Sequence, residues 1–572
     1  MDTMKKYLLQ SVSIFVLTCF ISFSSCAQPL NPKEKFTRQD TLRGSITPER
    51  AWWNVVHYNI QVAPDFRSKT IKGWNQIGFD VITGGKNKKM QIDLQQPMII
   101  DSIIFNKKRV RNFKRIGNVY IIDFGNINFI AAKTALQKRT PVTLYSVTIY
   151  FSGKPVEASR PPWEGGWIWS KDAKGRPWMT VACQGLGASV WYPCKDHQSD
   201  EPDQGALLQV KVPDTLVAVA NGRLYSKDDQ LDGNMLYTWQ VKNPINNYNI
   251  VPYIGKYVHF TDNYIGETEK NLTLDYWVLD YNLEKAKKQF GRDVNPMLKA
   301  FEYWFGPYPF YEDGFKLVES SHLGMEHQSA IAYGNYYMDG YLGADLSGSG
   351  WGLKWDYIII HEAGHEWFAN NITTNDIADM WVHEGFTMYS EVLFIEYHWG
   401  KKAADEYLQG IRENINNDRP LIGPYGINKE GSGDMYNKGA ALLHTIRQVI
   451  NDDTVFRKIL RGLNSDFYHR TIDSKDAEKY ISEKSGKDLS KIFDQYLRTV
   501  NIPKLEFKVN GDNLSFRWVN CVKGFNMPVR FRDSNNWLYP TTEWKTVAMT
   551  SDLIEKGISF DKNFYIRTAR VN

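Results

Sequence analysis

The strongest constraint on what this chain can fold into is the place where the period of its apolar residues changes. From Ala51 onward, segments such as "HYNIQVAP", "IGFDVITG", "KMQIDLQQ", "VTLYSVTIYFSG" and "LLQVKVPDTLVAVANG" alternate apolar and polar residues between turn signals. A period of two belongs to half-buried strands, and turns at intervals of roughly 8–12 residues predict an antiparallel β domain. The pattern ends near "LTLDYWVLDYN". After Leu283 the apolar steps lengthen, in "LEKAKKQFGRDVNPMLKAFEYWFG", "KWDYIIIHEAGHEWFAN", "DMWVHEGFTMYSEVLFIEYHWG" and "MYNKGAALLHTIRQVIND". Helices carry that period, and the first stops at Gly306 and Pro307, a common terminator. Alternation returns from Lys504 in "KLEFKV", "NLSFRWV" and "FYIRTARV". The expected fold is α+β and multidomain. Residues 46–280 form an N-terminal antiparallel β domain, 281–502 a mainly helical domain and 503–572 a short C-terminal β domain. A length of 572 residues is too great for one ordinary core, which agrees with this division.

The first 45 residues stand outside the pattern. Lys5 and Lys6, an apolar run from Tyr7 to Phe23, and then small residues have the layout of a secretory signal peptide over residues 1–27. A membrane anchor is the alternative, because the run is close to the minimum spanning length. Cleavage after Ala27 competes with lipidation of Cys26, the bacterial lipoprotein pattern, which would attach the chain to a membrane. Either reading exports the protein to the periplasm, the outer membrane or the exterior of a bacterium. Residues 28–45 are polar without a period and read as a flexible tether. Beyond the leader only Cys183, Cys194 and Cys521 remain, too few for a disulfide framework. Cys183 and Cys194 read equally as a pair or as buried thiols. A net charge of +5, dispersed along the chain, argues against a nucleic-acid surface.

"HEAGHEWFAN" carries the chemistry. His361 and His365 stand four residues apart, so on a helix both imidazoles face one point. Two histidine nitrogens suit Zn²⁺, and a catalytic site needs a third protein ligand and an open position. Glu384, with eighteen residues between it and His365, lies on the next amphipathic helical segment and can close the set. Glu362 is not needed as a ligand and can take a proton from the attacking water.

The stretch "HEWFANNITTNDIADMWVHEGFTMYSE" resembles the aminopeptidase N family of zinc metallopeptidases, the gluzincin aminopeptidases, with their leukotriene hydrolase branch. Those proteins carry His-Glu-x-x-His, eighteen residues, and then Glu in a Trp-x-x-Glu-Gly-Phe phrase, here Trp381 to Phe386. The resemblance implies a thermolysin-like catalytic domain, a C-terminal β-sandwich, and one Zn²⁺ on His361, His365 and Glu384, with Glu362 as base. "LGMEHQSAIAYG" is similar to the family's Gly-Ala-Met-Glu-Asn strand, which implies that Glu326 binds the substrate's α-amino group beside Gly324 and Met325. Leu323, Gly324 and His327 depart from the Gly, Ala and Asn slots, which leaves the pocket's shape open. Gln184, in "CQGLGASVWYPCKDHQSDEP", matches a substrate-lining Gln of the leukotriene branch. "MYNKGAALLHTIRQVI" matches a Tyr-x-Lys-Gly helix, giving Tyr436 the role of donor to the tetrahedral intermediate.

The implied activity is removal of N-terminal residues from peptides with free amino ends. An endopeptidase or epoxide hydrolase would use the same zinc, and a surface binding protein could keep it without turnover. Larger family members continue into a long helical domain that covers the site. No such segment follows here, so the expectation is a more open site.

Overall fold

The computed structural model describes residues 35–137, 144–532 and 536–572. The leader over residues 1–27, Cys26 and the first part of the tether lie outside the described residues. Within the tether, Arg38–Gly44 departs from expectation and is helical. Thr37 and Asp40 form a reciprocal capping box at its start, and Gly44 is buried against the backbone of Ile427 and Asn428.

Alternating segments become strands because one face of each is inward. In Trp53–Asp65 the buried residues Tyr58, Ile60 and Val62 point to one core while the residues on either side of each are half-exposed. This strand is central in an eight-stranded sheet, flanked by Ala206–Pro213 and Thr70–Val81. The sheet is antiparallel except for the pairing of Trp53–Asp65 with Ala206–Pro213, which is parallel. A four-stranded sheet, including Gly166–Lys171 and Pro177–Ala182, and a three-stranded one complete this region. Its core is heavily aromatic, with Trp53, Tyr58, Trp167, Trp191 and Tyr192 fully buried. Cys183 and Cys194 are buried free thiols, so the pairing left open by the sequence is not made.

The boundary expected at residue 280 cuts through a sheet. Tyr257–Ile265 and Asn271–Leu279 form a hairpin whose second strand pairs in parallel with Phe315–Glu319. That five-stranded sheet continues through Ile331–Tyr333 to the short edge strand Gly324–Met325. Against it pack the helices Leu283–Phe305 and Tyr357–Gly364, and Trp381–Trp399 lies against both of them. Trp381–Trp399 is buried on every side from Trp381 to Ile395, as a helix central to a domain must be.

Lys504–Asn510, Asn513–Val519, Lys545–Ala548 and Arg567–Arg570 form a four-stranded C-terminal sheet, joined by the pair Val529–Arg530 and Trp537–Leu538. Its apolar residues, including Leu505, Leu514 and Trp518, are continuous with the core of the helical region. The N-terminal core is separate, yet it takes in Val318, Met325, Ala330 and Ala332 from the strands beside the site. No helix among the described residues is long and apolar enough to cross a membrane.

Candidate metal centre

The Tyr357–Gly364 helix begins at Asp356, whose carboxylate accepts from the backbone N–H of Ile358 at 3.1 Å. Its last turn presents His361, and His365 follows as the capping residue with helical backbone angles. Beyond His365 the helix unwinds through a wide turn, Glu366–Asn370, in which Ala369 has φ 148°. A non-glycine residue there is strained. Unwinding frees backbone carbonyls from helical pairing, and nearby side chains take them. Thr373 donates to the Ala369 carbonyl, and His365 Nδ1 lies 3.1 Å from the Phe368 carbonyl.

The third ligand candidate, Glu384, occupies the first turn of Trp381–Trp399, where the helix dipole favours a carboxylate. Its Oε2 lies 3.3 Å from His365 Nε2 and 3.7 Å from His361 Nε2. All three side chains are buried, and one ligand atom from each falls within 4.8 Å of the others. Glu384 Oε2 has no hydrogen-bond partner although it is buried. A buried unpaired carboxylate oxygen is costly, and a cation among these three groups would satisfy it. Burial alone would raise the Glu384 carboxyl, but His365 and His361 hold it below the ordinary carboxylate range. Donor types, spacing and burial therefore fit a divalent ion with nitrogen and oxygen ligands.

A second group overlaps the first. Single ligand atoms of Glu326, Glu362 and His365 also lie within 4.8 Å of one another. Burial pushes the Glu362 carboxyl up to about 7, while His361 and His365 oppose the rise. Gly324 explains how Glu362 fits. A Cβ on that residue would stand 2.6 Å from Glu362 Oε1 and 2.9 Å from Ile358, so with glycine the edge strand approaches without either side chain shifting. Side chains alternate along a strand, which puts Gly324 and Glu326 on the site face. Met325 points the other way, into the N-terminal core at 6% exposure. Its side chain is therefore turned away from the site.

Glu326 is held from the N-terminal region. Gln184 Nε2 and the Tyr248 hydroxyl both donate to its Oε1, at 2.5 and 2.9 Å. Both donors use Oε1, so the other oxygen can accept from a ligand. Asn370, at the end of the unwound turn, donates to the Glu326 carbonyl at 2.9 Å. Gln184 is thus brought beside Glu326.

Tyr436 caps the Asn437–Ile450 helix, with its ring 6.0 Å from that of His361. That helix lies against Trp381–Trp399 at a glycine pair. A Cβ on Gly439 would stand 2.7 Å from the Cα of Gly385. Burial and then the charge of Glu384 hold the Tyr436 hydroxyl well above the usual range, so it remains a donor. The centre therefore brings together a candidate metal set, the Glu362 carboxylate, the Tyr436 side chain and the separate Glu326 carboxylate. Sequence reasoning missed Tyr248, Tyr357, Glu391 and Tyr407. Tyr357 and Glu391 sit one and two helical turns from His361 and Glu384, a spacing visible in the sequence. Tyr248 left no such signal.

Residues 292–496 match the Peptidase family M1 domain. Aminopeptidase B of Mus musculus is 24% identical over 355 residues, covering 58% of this chain and 51% of that protein. Probable aminopeptidase 1 of Saccharolobus solfataricus is 22% identical over 384 residues, covering 64% and 46%. The chain thus spans about half the length of the curated relatives it matches. Among solved structures, an M1 zinc metallopeptidase from Deinococcus radiodurans has the same fold, with a TM-score of 0.64 at 18% identity, over 79% of this chain and 95% of that one.

Proposed function

We propose, from the premise that this chain carries a peptidase family M1 domain of the aminopeptidase N type, that it is a zinc-dependent aminopeptidase. The observation that carries the reading is the overlap of two groups at His365: the metal set on one side, Glu362 and Glu326 on the other. Zinc, when bound by His361, His365 and Glu384, supplies a Lewis acid for the scissile carbonyl and for water. Glu362, raised toward neutrality, takes the proton of the attacking water and returns it to the leaving amine. Tyr436 donates to the oxygen on which negative charge develops.

Glu326 supplies the register. Its Oε1 is held by Gln184 and Tyr248, and its remaining oxygen accepts a charge-assisted hydrogen bond from the substrate's ammonium group. The peptide then enters amino end first, and one residue is released per turnover. An endopeptidase would have no use for a buried carboxylate at this position. Export, through the leader over residues 1–27, belongs to the same proposal, and the mass of the mature N-terminus separates cleavage after Ala27 from lipidation at Cys26.

A panel of aminoacyl chromogenic substrates tests the activity. Turnover lost on dialysis against a chelator and restored by zinc is the expected result. Turnover that survives complete metal removal would overturn it.

A further inference from the structure

We propose that Glu391, itself held by Tyr407, is a positioning residue that fixes the ring and tautomer of His361 for the metal. The inference rests on the metal reading above and extends it to residues outside the ligand set. A neutral imidazole offers one lone pair, and its other nitrogen carries the proton. Which nitrogen is which depends on what faces the ring edge. At His361 Nδ1 the nearest polar atom is Glu391 Oε1, at 2.6 Å, with the Tyr357 hydroxyl farther off at 3.2 Å. An ionised carboxylate has no proton and can only accept, and the other oxygen of Glu391 accepts from the Tyr407 hydroxyl at 2.6 Å. The proton therefore sits on Nδ1, and the Nε2 lone pair points at Glu384 and His365. Tyr357, stacked on the His361 ring at 5.1 Å, sets the ring's plane from the face.

The two histidines are held differently. His365 Nδ1 meets a neutral carbonyl, that of Phe368, with the Thr387 hydroxyl 3.1 Å away. His361 Nδ1 meets a carboxylate. A buried negative charge hydrogen-bonded to an imidazole N–H makes the opposite nitrogen a stronger donor to a cation. Glu391 is fully buried, and its two oxygens meet His361 and Tyr407. It lies seven residues past Glu384 on the same helix, so one helix supplies a ligand and the group that orients another. Tyr407 arrives from the following helix, Lys401–Ile411, and extends the chain of contacts three side chains out from the metal position.

The test is zinc affinity, measured by competition with a chromophoric chelator in the absence of substrate. Full-length Glu391→Gln, Glu391→Leu and Tyr407→Phe proteins are compared with the parent and with His365→Ala. Gln can still accept from Nδ1 but lacks the charge, so zinc binding should weaken on the order of tenfold. Leu removes acceptor and charge, and the loss should approach a hundredfold, the upper end for such partners. Tyr407→Phe should weaken binding less than either. The melting midpoint of each apoprotein separates positioning from general damage, since affinity should fall where that midpoint does not. Should Glu391→Leu fail to fold, Glu391→Gln and Tyr407→Phe still decide. Parental zinc affinity in both would overturn the proposal. A parent that binds zinc no better than His365→Ala would instead overturn the metal reading itself.

Discussion

Glu362 Oε1 is where the chemistry meets its tightest packing. The Cβ of Gly324→Ala would fall 2.6 Å from it and 2.9 Å from Ile358, so the carboxylate must move. Misplacing a reacting group by such amounts can cost on the order of 10²-fold. We expect Gly324→Ala to lower kcat by about that factor while zinc content and Tm stay near the parent's. An unchanged kcat would show that Glu362 has slack. Glu362→Gln removes the base and no ligand, so it should keep stoichiometric zinc and lose roughly 10²–10⁴-fold in turnover. Tyr436→Phe should lower kcat on the order of 10²–10³-fold with little change in KM, because its donor acts on charge present only in the transition state. A change confined to KM would make Tyr436 a packing residue. His361, His365 and Glu384 were legible as candidates because their spacing survives in sequence, and Glu326 only through the resemblance of its strand. Gly324 was legible only as a departure from a family pattern; its contact with Glu362 needed the fold. Tyr248 lies 78 residues from Glu326, in a three-residue turn too short to display any period.

At the scale of elements, Asp356 starts the helix that carries His361. Its carboxylate accepts from Ile358, Asn335, Tyr333 and Gln289, all while fully buried. Asp356→Ala would strand those donors and remove the cap, costing about 1–3 kcal/mol or more in denaturant unfolding. Burial outweighs the donors and raises this carboxyl from 3.8 to about 7. The unfolded chain therefore releases the proton first, and stability falls as pH rises between those values. Asp356→Asn cannot titrate and should flatten that slope; an identical slope would assign it to other groups. The crossing of Asn437–Ile450 and Trp381–Trp399 depends on Gly385 and Gly439. Gly439→Ala puts a methyl 2.7 Å from backbone, which cannot swing aside, and should cost about 1–3 kcal/mol and displace Tyr436. The long helices were legible from their period. Arg38–Gly44 was not, because two turns of helix are too few to show one, although Thr37 and Asp40 stand at capping-box spacing.

Across the whole molecule, the centre lies where two cores meet. Strand Gly324–Met325 belongs to the sheet of the helical region, yet Met325 is buried in the N-terminal core, and Gln184 and Tyr248 reach Glu326 from that side. The expected division near residue 280 falls within a sheet for a physical reason: the hairpin Tyr257–Leu279 alternates like the strands before it, and nothing in a period of two says which sheet a strand joins. If the N-terminal region builds the amino-end pocket, Tyr248→Phe should raise KM for free-amine substrates by about tenfold, the loss of one charged hydrogen bond, with zinc retained. An unchanged KM would confine the pocket to the catalytic region. The central claim is that Glu326 reads a free amino end at a zinc hydrolase, and the most direct measurement is kcat/KM for one peptide and its N-acetylated twin. The acetylated form cannot supply an ammonium and leaves the Glu326 carboxylate unpaired. It should be cleaved at least tenfold more slowly by the parent, and Glu326→Ala should shrink the difference. Equal cleavage of the two peptides by the parent protein would contradict the aminopeptidase account.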